Sequence, residues 1–257
     1  NPITVDPRTK KQIAAYKEKV RNRQKLLNDY KQYNRYRKVC GNDMPKTFEK
    51  FRDMKYNESV KWKETQAIYR KSNAYGKIIA KEPEITADLT KISNDTGVSM
   101  IGLEHRVKTK DSFLRKVGTD SNHSLDAQVI TDTINSTNDV IRYTYQDNPL
   151  NLTNAYMNVT DAMKAKGYEV IRVKNTWLDK HSAYKGVNCI FKAPSGQKFE
   201  VQFHTPESFK IKDGPMHKLY EQSRLETTTP EKQAELNKKM FELSAQLEVP
   251  VNIDRIK

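Results

Sequence analysis

Glycine and histidine are scarce in this chain, and the motifs that depend on them are absent. Nine glycines occur in 257 residues, and none of them forms GxGxxG or GxxxxGK. This excludes the phosphate-binding loops of dinucleotide-binding and Walker-type proteins. The five histidines are scattered, and neither HExxH nor CxxC occurs. The sequence therefore predicts no His/Cys metal centre.

Cysteine and long apolar runs are also scarce. Cys40 and Cys189 lie far apart in unlike contexts, so we interpret them as free thiols in a reducing compartment. No run approaches the roughly 20 apolar residues that span a bilayer, and nothing at the start resembles a signal peptide. The chain begins with Asn1. We therefore expect a fragment or processed product of a longer polypeptide, which acts in the cytoplasm and has no membrane partner.

Acidic residues are few in the first third of the chain. Residues 1–80 hold 21 Lys/Arg and 8 Asp/Glu, a net charge of +13 out of the total of +14. One interpretation is binding of a nucleic acid such as tRNA through phosphate contacts and stacking. The other is a solvated helical arm that docks onto a parent protein or an acidic partner protein. The aromatic residues relevant to stacking are Tyr16, Tyr30, Tyr33, Tyr36, Tyr56, Tyr69 and Tyr75.

The predicted secondary structure changes near residue 97, from helices alone to alternating strands and helices. Residues 8–38 lack Gly and Pro and predict one long helix. Further helices are predicted over 46–56, 58–73, 83–95, 111–118, 124–135, 151–166, 206–223 and 230–246. Strands are predicted over Met100–Val107, Val140–Tyr145, Tyr168–Asn175, Val187–Lys192 and Lys198–His204, with a hairpin loop at 193–197. We predict an α+β fold with a mixed, mostly antiparallel five-stranded sheet and flanking helices over 81–257, preceded by a basic helical region over 1–80.

The first polar cluster lies near residue 110. Arg106 and Lys108 are two apart on a predicted strand, so both would point to one face. Ser112 and Lys116 are four apart on the next helix, which also carries Arg115. Cations that converge from a strand end and a helix start can bind a polyphosphate. Such spacings are also common in any Lys/Arg-rich chain.

Two further clusters lie on the predicted sheet. Asp139 precedes an apolar strand that carries Arg142; a carboxylate there can hold Mg²⁺, or it can be a turn residue. The loop that follows Lys174 contains Tyr184 and ends at Gly186. Aromatic, basic and glycine residues in such a loop suit a nucleobase and its phosphates, although they also suit a plain surface loop.

The fourth cluster is the strand FEVQFHT at 199–205. Its alternation predicts one buried and one polar face. Glu200, Gln202 and His204 would share the polar face, which is either an ordinary exposed face or the floor of a site.

The order of the four clusters resembles the synthetase domain of RelA/SpoT-type alarmone synthetases. The resemblance covers about 80–225. Four motifs carry it: RVK at 106–108 with Ser112 and Lys116, DVIR at 139–142, the Lys-rich loop that ends in Gly186, and EVQFHT at 200–205. It implies a nucleotidyltransferase-like synthetase fold. It also implies transfer of pyrophosphate from ATP to the 3′-hydroxyl of a nucleotide, with release of AMP.

The resemblance implies a role for each matched position. Asp139 and Glu200 would hold Mg²⁺, Glu200 would activate the acceptor hydroxyl, and Gln202 would stand beside it. The ATP phosphates would be bound by Arg106, Lys108, Ser112, Arg115, Lys116 and Arg142. The acceptor would meet Lys174, Tyr184, Gly186 and His204.

Two positions depart from the family pattern. Val187 follows Gly186 where the family has an acceptor-stacking tyrosine, and His204 stands where the family has an arginine. We therefore expect an adenosine nucleotide (ADP or ATP) as acceptor, with a guanosine nucleotide, the 3′ end of tRNA, or a non-catalytic binding module as alternatives. The stretch at 31–51, together with HTPESF at 204–209 and HKLYEQSR at 217–224, resembles tails of phage minor head proteins and polymorphic toxins. This predicts a growth-inhibiting domain within a larger phage or toxin polypeptide, which would be phage-associated.

Overall fold

A computed structural model describes residues 6–225 and 227–257. The chain divides into two compact units. The first comprises Asn1–Gly76 with Leu114–Ile134, and the second comprises Lys77–Phe113 with Asn135–Lys257. No helix in the described ranges has both the length and the apolar composition that a bilayer crossing requires. Cys40 and Cys189 are both buried, and neither takes part in a disulfide.

Most helices begin and end within about three residues of their predicted bounds, but the helix predicted over 58–73 extends to Ile79 and the one predicted over 206–223 is divided. The helices are α1 (Pro7–Cys40), α2 (Phe48–Asn57), α3 (Ser59–Ile79), α4 (Glu82–Thr96), α5 (Lys110–Asp120), α6 (Ala127–Ser136), α7 (Leu152–Ala165), α8 (Pro206–Ile211), α9 (His217–Ser223) and α10 (Pro230–Ser244). Gly41 ends α1 at φ 60°, and Thr47 caps α2 by accepting from the Lys50 amide at 3.2 Å. Such local signals explain why the helix positions follow from sequence.

The first unit has its own aromatic core. It is formed by Tyr33, Tyr36, Cys40, Met44, Phe51 and Met54. Asp29 is buried beside it and is bound by Lys55 at 2.7 Å and by Arg52 at 3.2 Å. Burial alone would raise the pKa of Asp29, but the hydrogen bonds from Lys55 and Tyr56 hold this pKa below its usual value. The second half of α1 is thus fixed to α2.

The second unit contains the predicted mixed sheet. Its strands are β1 (Ser99–Ile101), β2 (Arg142–Gln146), β3 (Glu169–Asn175), β4 (Val187–Lys192) and β5 (Lys198–His204). Their spatial order is β1-β2-β5-β4-β3. Only β2 and β5 pair in parallel, and the other three pairs are antiparallel. The predicted loop at 193–197 closes the β4–β5 hairpin, since the Ala193 amide donates to the Gln197 carbonyl at 2.8 Å.

One face of the sheet is apolar and packs against α4 and α7. Its fully buried side chains include Tyr143, Tyr145, Phe199 and Phe203. The Tyr145 hydroxyl donates to the Leu89 carbonyl of α4 at 2.9 Å, which joins helix and sheet. Because side chains alternate along a strand, the intervening residues of β2 and β5 lie on the opposite face.

The prediction of a strand over Met100–Val107 is wrong beyond Ile101. Gly102 adopts φ 64° and starts a 3₁₀ turn over Leu103–His105. Val107 forms only an isolated bridge with Ile141. A left-handed glycine ends a strand, so Arg106 and Lys108 do not share a strand face.

The single helix predicted over 206–223 is interrupted. A π-helical turn over Lys212–Met216 separates α8 from α9 and contains Gly214 and Pro215. Proline has no amide hydrogen, and its ring clashes with the preceding turn of an α-helix. A π turn relieves this conflict and is frequent at functional sites.

Candidate active site

Arg142 and Glu200 form the centre of the polar sheet face. They are direct neighbours on the parallel strands β2 and β5, so their side chains lie on one face. The Arg142 Nε donates to Glu200 Oε2 at 2.8 Å, and Glu200 is 7% exposed. Burial would lower the pKa of Arg142, but the Glu200 carboxylate raises it above its usual value. Arg142 is therefore a fixed cation at the centre of this face.

Arg142 also joins a second carboxylate to this pair. Its Nη2 lies 3.4 Å from Asp139 Oδ2, and the Lys108 Nζ lies at the same distance from that oxygen. Backbone bonds set this geometry, because the Lys108 amide donates to the Val140 carbonyl and the Arg142 amide donates to the Arg106 carbonyl, each at 2.8 Å. Two cations and two carboxylates thus alternate on the polar face.

The carboxylates fit Mg²⁺ better than a metal that needs many protein ligands. Asp139 Oδ1 is buried and has no hydrogen-bond partner. No group of three or more His, Cys, Asp or Glu suited to a metal occurs among residues 6–225 and 227–257. Mg²⁺ is usually held by one or two carboxylates, with water and substrate phosphates completing its shell. Asp139 and Glu200 match that requirement.

Gln202 occupies the next position of β5 on the same face. Its Nε2 donates to Glu200 Oε1 at 3.0 Å, so each oxygen of Glu200 has one fixed donor. The Gln202 Oε1 is buried and has no hydrogen-bond partner. A buried unsatisfied acceptor is costly, and a ligand donor would satisfy it.

Arg106 is directed to a different carboxylate. Its Nε donates to Glu82, and its Nη1 donates to the Leu103 carbonyl at 2.8 Å. Glu82 also accepts from Thr86, whose hydroxyl lies 2.7 Å from that of Tyr143. Burial would raise the pKa of Glu82, but its bonds to Arg106 and Thr86 hold this pKa below its usual value. Arg106 is therefore anchored in the scaffold of the second unit.

The other residues of the first cluster lie on α5. Ser112 Oγ accepts from the Thr109 hydroxyl at 2.9 Å, next to the start of the helix. Lys116 forms an ion pair with Asp120 at 3.2 Å, while Arg115 lies on the same helix. Their assignment to ATP stays a prediction.

His204 and Tyr184 are joined on the polar face. The Tyr184 hydroxyl lies 2.8 Å from His204 Nε2 and donates to Asn188 Oδ1 at 2.5 Å. That bond uses the only hydroxyl proton of Tyr184, so His204 Nε2 carries the donor hydrogen. His204 Nδ1 lies 2.9 Å from the Ser208 hydroxyl oxygen. Burial lowers the pKa of His204 to about 3, which keeps the ring neutral.

Gly186 lies directly against this network. A Cβ added there would stand 2.6 Å from His204 Cε1 and 2.8 Å from the Tyr184 hydroxyl. Only glycine fits, because real Cβ contacts are longer. The loop that carries Tyr184 is thereby closed onto β5.

Lys174 belongs to the same face through the sheet register. It pairs with Asn188, and Asn188 pairs with Gln202. Directly paired residues share a face, so these three side chains form a row across β3, β4 and β5. Lys174 itself is exposed.

Lys212 and Asn188 are polar-face residues that sequence reasoning missed. Lys212 Nζ lies 5.0 Å from the centre of the Phe209 ring and 3.8 Å from Asp213. Burial, and next the charge of Arg142, lower the pKa of Lys212. The available signal was its position four residues after Ser208 on the predicted helix.

Comparisons with known proteins give similar folds only. No family model and no curated protein matches the chain. Similar solved structures include the Type VI effector Tas1 in complex with its immunity protein, at 19% identity and TM-score 0.47, covering 68% of this chain and 96% of that one. Another is the small alarmone synthetase 1 from Bacillus subtilis bound to its product pppGpp, at 16% and 0.46, covering 65% and 86%. A third is a GTP pyrophosphokinase family protein from Streptococcus pneumoniae, at 10% and 0.41, covering 65% and 82%. At these identities, the argument for function rests on the site residues.

Proposed function

We propose that this chain is an ATP-dependent pyrophosphokinase whose synthetase domain spans 81–257. It transfers the pyrophosphate group of ATP to the 3′-hydroxyl of an adenosine nucleotide, ADP or ATP, and releases AMP. The observation that carries the proposal is the polar face itself. There, Arg142 joins the half-buried carboxylate of Asp139 to the buried carboxylate of Glu200, beside Lys108.

These residues account for each bond and for the proton in the transfer of pyrophosphate. The acceptor 3′-oxygen forms a bond to the β-phosphorus of ATP, and the bond from that phosphorus to the α,β-bridging oxygen breaks. The electron pair leaves with AMP. Glu200 takes the proton of the attacking hydroxyl, since each of its oxygens keeps a lone pair beyond the bonds from Arg142 and Gln202.

The charge that develops on the phosphoryl oxygens is stabilised by fixed cations. Arg142 and Lys108 are already held on the polar face by Asp139 and Glu200, so they need little reorganisation. Mg²⁺, held by Asp139 and Glu200, would neutralise phosphate charge when bound. Arg106 and Ser112 would contact the remaining ATP phosphates, with Arg106 keeping its bonds to Glu82 and the Leu103 carbonyl.

We assign the acceptor to the part of the polar face near Tyr184. Lys174 would attract the acceptor phosphates and Tyr184 would contact the base. Gly186 lets the loop approach β5 closely. His204 is 0% exposed, so it acts through Tyr184 as a positioning residue. An arginine at this position would add a charge, which the neutral network here does not provide, and we therefore favour adenosine over guanosine.

We further propose that the domain is a growth-inhibiting effector within a larger phage or toxin polypeptide. The sequence resemblance at 31–51 supports this assignment. Consumption of ATP and ADP would be sufficient to stop growth.

Product analysis tests the proposed reaction. The chain is incubated with ATP and Mg²⁺ together with ADP, GDP or tRNA, and the products are separated by anion exchange and weighed by mass spectrometry. The proposal expects AMP and an ADP product heavier by one pyrophosphate group. A product from GDP alone would show that the acceptor base is guanine and not adenine. A product from tRNA alone would show that the acceptor is an RNA and not a free nucleotide. Bound ATP without AMP would instead identify a binding module.

A further inference from the structure

The first half of α1 is exposed on all sides. Every side chain from residue 8 to residue 28 is exposed, and Asp29 is the first buried one. At 1.5 Å per residue, this segment is roughly 30 Å long. Between residues 10 and 23, no hydrogen bond or ion pair joins it to another described element. In proteins, most of the stability of a helix comes from packing of its apolar face, so a partner surface would account for the apolar residues of this segment.

The exposed segment carries an apolar line with coiled-coil spacing. Ile13, Tyr16, Val20 and Leu27 follow one another at intervals of three, four and seven residues. They are 45%, 69%, 48% and 48% exposed. With Ile13, Val20 and Leu27 at heptad position a, Tyr16 falls at position d. We call these four residues the α1 seam.

The positions that flank the α1 seam are basic or neutral. Lys10 and Lys17 fall at heptad position e, and Lys19 falls at position g. Glu18, the only acidic residue between 8 and 28, lies at position f and faces away from the seam. Flanking e and g charges determine which helix pairs with which.

A second copy of this chain does not fit the α1 seam. In a parallel, in-register pair, position g of one helix meets position e of the next heptad of the other. Lys19 would then meet Gln24 and Lys17 would meet Gln12, so no attractive charge pair forms. In an antiparallel pair, e meets e and g meets g, which brings lysines opposite lysines. Like charges at these positions disfavour self-association.

A nucleic acid or a membrane would match the α1 seam less well than a partner helix would. Phosphate contacts need cations but no apolar line. A membrane-bound helix needs a wide apolar face, whereas the α1 seam is narrow and Arg23 occupies its next d position. An acidic residue on a partner helix can pair with Arg23.

We propose that the α1 seam binds an amphipathic helix of an acidic protein. The apolar residues of that helix pack onto Ile13, Val20 and Leu27, and its flanking Asp and Glu residues pair with Lys17 and Lys19. This surface is independent of the proposed active site, so its test is distinct from any activity assay.

The probe is a designed four-heptad peptide with apolar a and d positions and Glu at every e and g position. A matched peptide carries Lys at e and g. Binding to the whole chain is measured by fluorescence anisotropy, with double-stranded DNA, tRNA and anionic vesicles as further probes. We expect the Glu peptide to bind at least about tenfold more tightly than the Lys peptide.

Two substitutions distinguish the contribution of the α1 seam from the effect of an added negative charge elsewhere on the helix. Val20→Asp places a carboxylate in the seam, and Asn22→Asp places the same carboxylate two positions away on an exposed site. Val20→Asp should weaken binding of the Glu peptide at least about tenfold more than Asn22→Asp does. The double change Lys17→Glu with Lys19→Glu should reverse the preference between the two peptides.

Several results would overturn the proposal. These are equal binding of both peptides, equal effects of Val20→Asp and Asn22→Asp, or tighter binding of DNA, tRNA or vesicles than of the Glu peptide. Because these side chains are exposed, circular dichroism of each variant should match that of the parent chain.

Discussion

Arg142 on β2 and Glu200 on β5 are direct neighbours in the only parallel pair among the described strands, and their side chains are 2.8 Å apart. In this arrangement the carboxylate proposed to take a proton is held by the cation proposed to stabilise the phosphoryl charge. Neither group can therefore be changed without an effect on the other.

Glu200→Gln should reduce kcat at least about 100-fold, the usual contribution of a general base, because the amide cannot accept the proton. The affinity for ATP should fall much less than kcat, since Lys108, Asp139 and Arg142 remain on the polar face. Steady-state kinetics and equilibrium ATP binding measure the two effects. Glu207→Gln, at an exposed acid of α8, is the matched control. Unchanged kcat in Glu200→Gln would remove this residue from the mechanism.

Asp139→Asn should raise the Mg²⁺ concentration needed for half-maximal activity, because Asp139 Oδ1 is the buried acceptor without a partner. The measurement is a Mg²⁺ titration at saturating ATP. Asp161→Asn supplies the control, since its carboxylate is exposed and pairs only with Lys164. An identical Mg²⁺ requirement for Asp139→Asn and the parent chain would contradict the metal assignment.

The buried neutral state of His204 predicts a pH effect on stability. Its pKa is about 3 in the fold against an ordinary value of 6.5. As pH falls below about 6.5, the unfolded chain takes up a proton that the native chain refuses, so the free energy of unfolding decreases. Between pH 7.5 and 5 this contribution is about 2 kcal/mol.

Urea unfolding at both pH values tests this effect. The decrease on acidification should be smaller by about 2 kcal/mol in His204→Gln than in the parent chain. His105→Gln is the matched control because that side chain is exposed. The same acid sensitivity in His204→Gln and the parent would show that His204 does not resist protonation.

Gly186→Ala should raise the KM for the acceptor and destabilise the second unit. The added methyl group would displace either His204 or the hydroxyl of Tyr184, and overpacking of this kind typically costs about 1–3 kcal/mol. The KM for ATP should change less. Acceptor kinetics and thermal unfolding measure both effects.

Gly76→Ala is the control for this substitution. It lies within α3, and nothing stands within 4 Å of the added Cβ, so it should be neutral or stabilising by up to about 1 kcal/mol. Unchanged acceptor KM in Gly186→Ala would remove the loop from acceptor binding.

Much of the sheet follows from local signals. Alternation in FEVQFHT fixes β5, and the Pro-Ser-Gly loop fixes its hairpin with β4. The strand predicted through Val107 failed because Gly102 was interpreted as a strand residue, whereas it adopts φ 64°. The left-handed conformation is available to any glycine, and only tertiary packing selects it here.

The candidate active site could be predicted only in part, because its contacts also depend on tertiary structure. The alternation of apolar and polar residues is enough to place Arg142 and Glu200 on polar strand faces. Their contact, however, depends on which strands are neighbours in the sheet. The Tyr184–His204 bond joins residues 20 positions apart. Such long-range pairs depend on topology, which propensity does not determine.

The most direct test of the account follows the fate of the β-phosphorus of ATP. The chain is incubated with ADP, Mg²⁺ and ATP labelled at that phosphorus, and the products are separated and counted. The account predicts that the label appears in an ADP-derived product, with one AMP released for each transfer, and that Glu200→Gln forms this product at least about 100-fold more slowly. Label recovered only in ATP, or in free phosphate or pyrophosphate, would contradict it.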